Sequence, residues 1–166
     1  MDVTLRSSGR RHIDVDVRRD DGLVWRLTGV YGESEMVRKK ETCRMMRILK
    51  QQHQGGRPWL CLGDFNEILM TMEKAGGAAR PQHYLDGFWE ALQTCELGDI
   101  GFEGDIFTWR NHSKELRTYV CERLDRATSN AEWCEQFLEY TVINGLPIHS
   151  DHQPIILNTE ALDREW

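Results

Sequence analysis

The sequence predicts a layered domain of mixed α/β (α+β) class. Short runs of β-branched and aromatic residues, typical of strands, outnumber the helical segments. Two longer segments carry apolar residues at helical spacing. The two kinds of segment are mixed along the whole chain without a repeat period, which favours sheets covered by helices in one domain. The pattern alone leaves the strand topology open.

The composition is that of one globular domain. The chain has 166 residues, 40% hydrophobic and 29% charged, which excludes wholesale disorder. No apolar run approaches the roughly 18 residues of a membrane span, and no secretory signal is visible. Five cysteines without close pairs predict reduced thiols. We therefore expect an intracellular protein of the nucleus or cytoplasm that is not secreted.

Charge is distributed unevenly along the chain. Residues 1–60 carry 13 basic and 8 acidic side chains, and the remainder carries 8 and 19, for a net charge of −6. Any basic surface for a nucleic acid must therefore lie in the first third. Lys40, Arg44 and Arg47 share a predicted helix face there. Contact with phosphates and simple solvation are equally good interpretations of that face.

The elements follow from periodicity and from chain breakers. Strands are predicted at 13–17, 23–31, 59–62, 97–100, 106–109, 119–123, 140–143 and 155–157, and helices at 35–53 and after Pro81. Ser129 and Glu132 form the pattern of a capping box, which predicts a short helix carrying Trp133 and Phe137. The strand at 13–17 follows Met1 closely, so the chain begins as if inside a sheet.

Three polar segments stand at the ends of predicted strands. Residues 63–66 place Asp64 and Asn66 directly after a buried strand, where a carboxylate could bind a cation or orient a water molecule. Asp151 and His152 precede the last strand, and a neutral imidazole can accept a proton near pH 7. Asp125 follows the strand at 119–123 and could orient a histidine. Each segment alone is equally compatible with a turn, a surface histidine or a surface ion pair.

Together and in order, these segments resemble the endonuclease/exonuclease/phosphatase superfamily, which has the DNase I-like fold. The resemblance extends from about His12 to Leu157, and residues 107–133 are similar to the endonuclease domain of plant LINE-type (non-LTR) retrotransposons. It is carried by Tyr31-Gly32, Gly63-Asp64-Phe65-Asn66, Phe107-Thr108-Trp109-x-Asn111, Arg123-Leu124-Asp125-Arg126-Ala127-x-x-Asn130-x-x-Trp133 and Ser150-Asp151-His152-x-Pro154. It implies a four-layer sandwich of two packed sheets flanked by helices.

The resemblance also implies an activity and roles for particular residues. The expected reaction is Mg²⁺-dependent phosphodiester hydrolysis, with Mn²⁺ as an alternative ion and DNA as substrate. The implied roles are water activation by Asp64, water and phosphate contact by Asn66, action of His152 as base or transition-state donor, support of that imidazole by Asp125, metal binding by Asp151, and substrate contact by Tyr31, Trp109 and Asn111. A reverse transcriptase is expected in the polyprotein of a full-length element.

The family pattern begins before this sequence does. Its first strands carry an Asn and then a Glu that is the main metal ligand, and neither motif occurs ahead of residue 13. We therefore interpret residues 1–166 as one partial domain that lacks its N-terminal strands, with an open sheet edge and exposed apolar surface. Loss of an electrostatic catalytic group costs on the order of 10²–10³ in rate, which predicts a weak or inactive enzyme.

Three alternatives remain at this point. The chain could be a non-catalytic retrotransposon remnant, or another phosphoesterase of the same superfamily. A zinc site built from Cys121, Cys134, His149 and His152 is a weaker alternative, because structural zinc sites usually contain a closely spaced cysteine pair.

Overall fold

The computed structural model describes residues 1–53, 55–147 and 149–160, and within these it has strands and helices in alternation. The strands are β1 (Asp2–Gly9), β2 (His12–Arg18), β3 (Val24–Tyr31), β4 (Trp59–Asp64), β5 (Lys74–Ala75), β6 (Gly98–Asp99), β7 (Glu103–Gly104), β8 (Trp109–Arg110), β9 (Cys121–Glu122), β10 (Asp125–Ser129), β11 (Thr141–Asn144) and β12 (Ile155–Asn158). The helices are α1 (Lys40–Gln51), α2 (Gln82–Cys95) and α3 (Ala131–Gln136).

The largest sheet has six strands in the order β1-β2-β3-β4-β10-β6. Strands β3 and β4 are parallel, whereas β10 runs antiparallel to β4. The register pairs Tyr31 with Asp64, and Asp64 with Asp125. The ends of β3 and β4 and the start of β10 therefore lie at one edge of the sheet.

Two smaller sheets complete the structure. One has the order β12-β11-β7 and the other the order β5-β9-β8. Trp109 of β8 also forms a β-bridge with His152, which lies just before β12. This bridge joins the segment around His152 to the β5-β9-β8 sheet.

The core has two main clusters, one for each face of the large sheet. Met46 and Leu49 of α1 and Phe88 of α2 pack with Trp59 and Phe65 on one face. On the other face, Val17, Trp25 and Leu60 pack with Trp133 and Phe137 from the α3 region. Helices pack on both faces of the large sheet, and two smaller sheets accompany it. This arrangement confirms the predicted mixed α/β class and the DNase I-like layering.

Most of the predicted elements are present, with corrected bounds. Helix α1 begins at Lys40 rather than Glu35, because Met36–Arg38 form a separate 3₁₀ turn. The predicted strands at 106–109 and 119–123 shrink to β8 and β9, and Asp125 opens β10 instead of following a strand. Strand β1 was not predicted, because residues 2–9 carry only two apolar side chains between polar ones.

The predicted cap of α3 is wrong by one residue. Asn130, not Ser129, is the N-cap, and its Oδ1 accepts the backbone N–H of Trp133 at 3.1 Å. Ser129 ends β10 and its hydroxyl instead contacts Cys134 Sγ at 3.1 Å. The sequence offered two adjacent capping residues, and the end of β10 decided between them.

Two other predictions are confirmed. All five cysteines are free, and four of them are buried. Trp133 is a core residue with no exposed surface.

Within the described part of the chain, no helix has the length and apolarity needed to cross a bilayer. The last six residues of the predicted domain, 161–166, lie outside the described residues.

Candidate functional site

Three of the predicted site residues meet at the shared edge of the large sheet. Ligand atoms of Asp64, Asp125 and His152 all lie within 4.8 Å of one another. Asp64 ends β4, Asp125 begins β10, and His152 is fixed beside them by its bridge to Trp109. Residues 27 to 88 positions apart in sequence thus form one polar cluster, which only the tertiary structure could bring together.

Two glycines allow the chain to turn at this edge. A Cβ on Gly32 would lie 2.0 Å from the carbonyl oxygen of Phe65, and one on Gly63, whose φ is +138°, would lie 2.3 Å from that of Val30. No side chain fits at either position. Backbone therefore approaches backbone closely at both glycines, directly before and beside Asp64.

Asn66 holds the Asp64 carboxylate from both sides. Its backbone N–H donates to Asp64 Oδ1 and its Nδ2 donates to Asp64 Oδ2, each at 2.8 Å. Nδ2 also donates to the carbonyl of Gly32 at 3.2 Å. Both amide protons are therefore used inside the protein, whereas Asn66 Oδ1 accepts no hydrogen bond from the described residues and is free to accept one from water.

Asp125 orients the imidazole of His152. Asp125 Oδ2 lies 2.8 Å from His152 Nδ1. Because a carboxylate can only accept, Nδ1 carries the proton, and Nε2 is the nitrogen available to the cleft. The hydrogen bond to Asp125 raises the pKa of His152 above its ordinary value.

Thr108 fixes the backbone that carries Asp125. Its buried hydroxyl oxygen accepts the N–H groups of Leu124 and Asp125 at 3.0 and 2.9 Å. The Thr108 carbonyl also accepts the N–H of Gln153 at 2.7 Å. A single threonine thus ties the Asp125 segment to the His152 segment.

The environment of Asp64 favours its protonated form. Burial is the main cause that raises the pKa of Asp64 to about 6, and the charge of the nearby Asp125 carboxylate contributes to the same rise. Hydrogen bonds from Asn66 act in the opposite direction. A carboxylate with a pKa near neutrality is suited to accepting a proton from water.

Asp151 has a different environment from the cluster. Its Oδ2 accepts the indole N–H of Trp109 at 2.9 Å, and this bond lowers the pKa of Asp151. Its carbonyl accepts the N–H of Arg110 at 3.1 Å. Asp151 therefore holds β8 against the His152 segment, and its assignment as a metal ligand stays a prediction.

Asn111 is occupied in shaping a loop. Its Nδ2 donates to the Thr118 carbonyl at 2.7 Å, and its Oδ1 accepts the N–H groups of Ser113 and Val120 at 3.2 and 3.1 Å. These bonds close the loop between β8 and β9. Substrate contact by Asn111 stays a prediction.

A cleft of about 310 Å³ lies over the cluster. Five of the predicted residues line it, namely Tyr31, Asp64, Asn66, Trp109 and His152. Tyr31 is 58% exposed, so its phenol is accessible to a ligand. Among the other lining residues, Lys39 and Arg80 supply positive charge, and Arg80 Nη2 donates to Glu122 Oε2 at 2.7 Å.

Sequence reasoning missed both of these cations. Lys39 precedes α1 and Arg80 follows the glycine-rich segment at 76–77, so neither stands at a strand end beside an acid or an imidazole. Lys39 in particular has the sequence context of an ordinary solvated helix lysine. Only the packing of α1 against the turn after β4 brings it to the cleft.

Comparison with solved structures identifies the architecture. No protein-family profile matches the chain, and no curated protein matches it by sequence. The endonuclease domain of TRAS1, a telomere-specific non-LTR retrotransposon, matches 94% of this chain and 68% of its own length, with a TM-score of 0.68 and 16% identity. The 3′-5′ exonuclease NExo of Neisseria meningitidis matches 95% of this chain and 70% of its own, with a TM-score of 0.64 and 17% identity.

Two further structures belong to the same group. The AP endonuclease LMAP of Leishmania major has a TM-score of 0.64 and 15% identity, and an endonuclease/exonuclease/phosphatase family protein of Leptotrichia buccalis has a TM-score of 0.54 and 13% identity. The chain has the endonuclease/exonuclease/phosphatase fold. It spans 53% of the length of each of these two relatives.

The cluster on this endonuclease/exonuclease/phosphatase fold can accept a hydrated divalent cation. Asp64 and Asp125 supply the carboxylate oxygens that Mg²⁺ and Mn²⁺ prefer, and each oxygen can take a ligand besides the N–H it already accepts. The imidazole of His152 is a poorer donor for these ions. The four ligands of the zinc alternative do not come together among the described residues, where the one such cluster is Asp64, Asp125 and His152.

Proposed function

We propose that the chain is a divalent-metal-dependent phosphodiesterase that nicks DNA, as an endonuclease of the retroelement type. One observation carries the proposal: ligand atoms of Asp64, Asp125 and His152 lie within 4.8 Å of one another, and Asp64, Asn66 and His152 line one cleft. A pair that can activate water beside an oriented imidazole is suited to hydrolysis of a phosphodiester. The TRAS1 likeness supports the retroelement type, and a reverse transcriptase would then belong to the same polyprotein.

Asp64 and Asn66 act on the attacking water. The ionised Asp64 carboxylate accepts a proton from the water, and its raised pKa makes it a stronger base than an ordinary aspartate. Asn66 Oδ1 accepts the second hydrogen of that water, and Nδ2 keeps the carboxylate in place. The water is thereby held in one orientation before attack, which removes part of the entropic barrier.

His152, which is held by Asp125, acts on the phosphate. Its Nε2, kept in position by the Nδ1 bond to Asp125, donates a hydrogen bond to a phosphate oxygen when the ring is protonated. The raised pKa of His152 increases the protonated fraction near neutral pH. Tyr31 and Trp109 border the cleft and are the proposed contacts to the rest of the nucleotide.

A divalent cation is the proposed cofactor. Mg²⁺, when bound, supplies positive charge that offsets the charge developing on the phosphate. Asp64 and Asp125 would hold it, with Asp151 as a further predicted ligand. Because two carboxylates are few ligands for a hard cation, we propose weak metal binding and a low rate for this chain.

The proposal is tested by nicking of supercoiled plasmid with purified, folded protein in Mg²⁺ and in EDTA. We expect slow, Mg²⁺-dependent nicking that Asp64→Ala and His152→Ala each reduce by about 10²-fold or more. Asp20→Ala and His83→Ala change residues outside the cleft and are the matched controls.

Two results would contradict the proposal. Absence of nicking by folded wild-type protein in Mg²⁺ and in Mn²⁺ would favour a non-catalytic remnant. Release of phosphate from a 3′-phosphorylated oligonucleotide without nicking would favour a phosphatase of the same fold, the activity named for NExo.

A further inference from the structure

Lys39 is a buried lysine that reaches the backbone of Asn66. Only 2% of its surface is exposed. Its Nζ donates to the carbonyl oxygen of Asn66. Burial of an ammonium group is costly, and it lowers the pKa of Lys39 below its ordinary value. The structure therefore keeps a cation at a position where a hydrophobic residue would cost less.

The residue that Lys39 contacts has an unusual backbone. Asn66 has a φ of +54°, in the left-handed region, which costs a non-glycine residue about 1 kcal/mol or more. In this conformation the Asn66 side chain and N–H both reach back to the Asp64 carboxylate. The carbonyl oxygen of the same residue accepts the hydrogen bond from Lys39 Nζ. Lys39 is thus bonded to the residue whose left-handed conformation accompanies both hydrogen bonds to the Asp64 carboxylate.

Lys39 forms a long ion pair with Glu67, but its close contact is the hydrogen bond to the Asn66 carbonyl. The nearest carboxylate is Glu67, whose Oε2 lies 3.9 Å from Lys39 Nζ. Within the described part of the chain, Glu67 Oε2 has no hydrogen-bond partner. Glu67 is also buried, and burial raises its pKa to about 7. A lysine present for a buried ion pair would be hydrogen-bonded to this carboxylate, but Lys39 is bonded to the Asn66 carbonyl instead.

We infer that Lys39 is a positioning residue, which acts through Asn66 to fix the Asp64 carboxylate and the orientation of the Asn66 amide. Its kinetic consequence rests on the proposed function, whereas its structural consequence does not. Lys39 lines the same cleft as Asp64 and His152, so a substitution of Lys39 changes the immediate surroundings of the site.

The kinetic test uses Lys39→Met, which keeps the aliphatic stem and removes the donor and the charge. We expect kcat for nicking to fall about 10- to 100-fold while KM changes less than about threefold, because the loss is one of alignment. In an Asn66→Ala background the same change should cost less than in the wild type, because the side-chain hydrogen bond to Asp64 is already lost. Lys39→Arg, which restores donor and charge, should recover part of the rate. Additive losses in the double variant would overturn the inference.

Lys50→Met is the matched control for this test. Lys50 is also on α1 and donates to a carboxylate, that of Glu96, at the other end of the helix. We expect it to leave kcat unchanged. A similar fall in kcat would mean that loss of any α1 lysine impairs the enzyme, which would also overturn the inference.

A second test does not require turnover. In ¹H–¹⁵N spectra, Lys39→Met should shift the Asn66 side-chain and backbone amide signals, while Lys50→Met leaves them unchanged. Unchanged Asn66 signals in Lys39→Met would overturn the inference. If the wild type has no activity but the signals move, the proposed function fails and the role of Lys39 stands.

A second variant covers the case in which Lys39→Met does not fold. Glu67→Gln is isosteric and removes the one carboxylate beside Lys39 Nζ. We expect the Asn66 side-chain amide signal to stay in place in the same spectra, because Lys39 Nζ keeps its hydrogen bond to the Asn66 carbonyl. A clear shift of that signal would mean that the carboxylate of Glu67 holds Lys39 in position, and would overturn the inference.

Discussion

At the residue scale, the state of His152 depends on Asp125. The hydrogen bond from Nδ1 fixes the tautomer and raises the pKa of the imidazole. The sequence analysis anticipated this pairing from the family resemblance. The distance of 2.8 Å makes it a direct contact.

We expect Asp125→Asn to lower the pKa of His152, because the carboxylate that stabilises the imidazolium is lost. The measurement is an NMR pH titration of the His152 ring proton. Signals of residues outside the cleft should be the same in Asp125→Asn and in wild type. An unchanged or higher pKa of His152 would contradict the assignment of Asp125.

Glu67 should make stability depend on pH. Burial raises its pKa to about 7 in the folded state, so the folded protein binds this proton more tightly than the unfolded chain does. The stabilisation is therefore complete below the unfolded pKa, near 4.5, and is lost as pH rises through about 7. We expect urea denaturation to show that, between pH 5 and pH 8, the free energy of unfolding falls by about 2 kcal/mol more in wild type than in Glu67→Gln.

Glu115→Gln serves as the control for this pH dependence, since Glu115 is exposed. It should follow the wild-type curve of stability against pH. Parallel curves for wild type and Glu67→Gln would show that Glu67 is ionised in the folded protein throughout this range.

At the element scale, Asn130 joins α3 to the strand that carries Asp64. Its Oδ1 accepts the N–H groups of Trp133 and Trp59 at 3.1 and 2.8 Å, and its Nδ2 donates to the Arg57 carbonyl at 2.8 Å. One side chain therefore caps a helix and fixes the start of β4. Asn130, which follows β10, therefore contributes more to the helix cap and to the start of β4 than Ser129 does.

We expect Asn130→Ala to lower the free energy of unfolding by about 2 kcal/mol or more, since it removes a cap and leaves buried N–H groups without partners. Ser129→Ala should cost less than about 1 kcal/mol, because the Ser129 hydroxyl caps nothing. Thermal or urea unfolding of both variants measures the difference. Equal losses would restore Ser129 as the capping residue.

The elements also show what periodicity can and cannot predict. The two long helices and the strand at 13–17 were found because their apolar residues repeat with a fixed period. The strands at 23–31 and 59–62 were found because short runs of β-branched, aromatic or other apolar residues end at chain breakers. The two-residue strands β5 and β7 have too few residues to form a period. They exist because their backbone groups pair with β9 and β11, which a local pattern does not contain.

At the scale of the whole molecule, the large sheet ends in an open edge. Strand β1 pairs with β2 on one side, and on its other side no strand of the described chain pairs with it. Val3, Leu5 and Ile13 are each about 60% exposed on these two strands. An unpaired strand edge and exposed apolar side chains therefore lie together on β1 and β2, whereas the absence of preceding strands stays a prediction.

We expect the protein to self-associate as its concentration rises, because an unprotected edge strand with apolar side chains can pair with another chain. Leu5→Lys should reduce association, measured by light scattering, with little effect on the melting temperature. Leu116→Lys is the control, since Leu116 is exposed to a similar or greater degree but lies outside any strand. A monomer at high concentration, or equal effects of the two variants, would contradict this prediction.

The sequence by itself determined the class of the fold, the main helices and strands, and the identity of Asp64, Asn66, Asp125 and His152 as candidates. These features are local, because the apolar periodicity, the positions of glycines and the residues at strand ends can each be recognised within a short segment of sequence. The tertiary structure alone decided that these four side chains come together at one edge of the sheet, since the parallel pairing of β3 with β4 and the antiparallel pairing of β10 place Asp64 beside Asp125. It also decided the role of Lys39, because burial and contact with Asn66 depend on how α1 packs against a turn that lies 27 residues away in sequence.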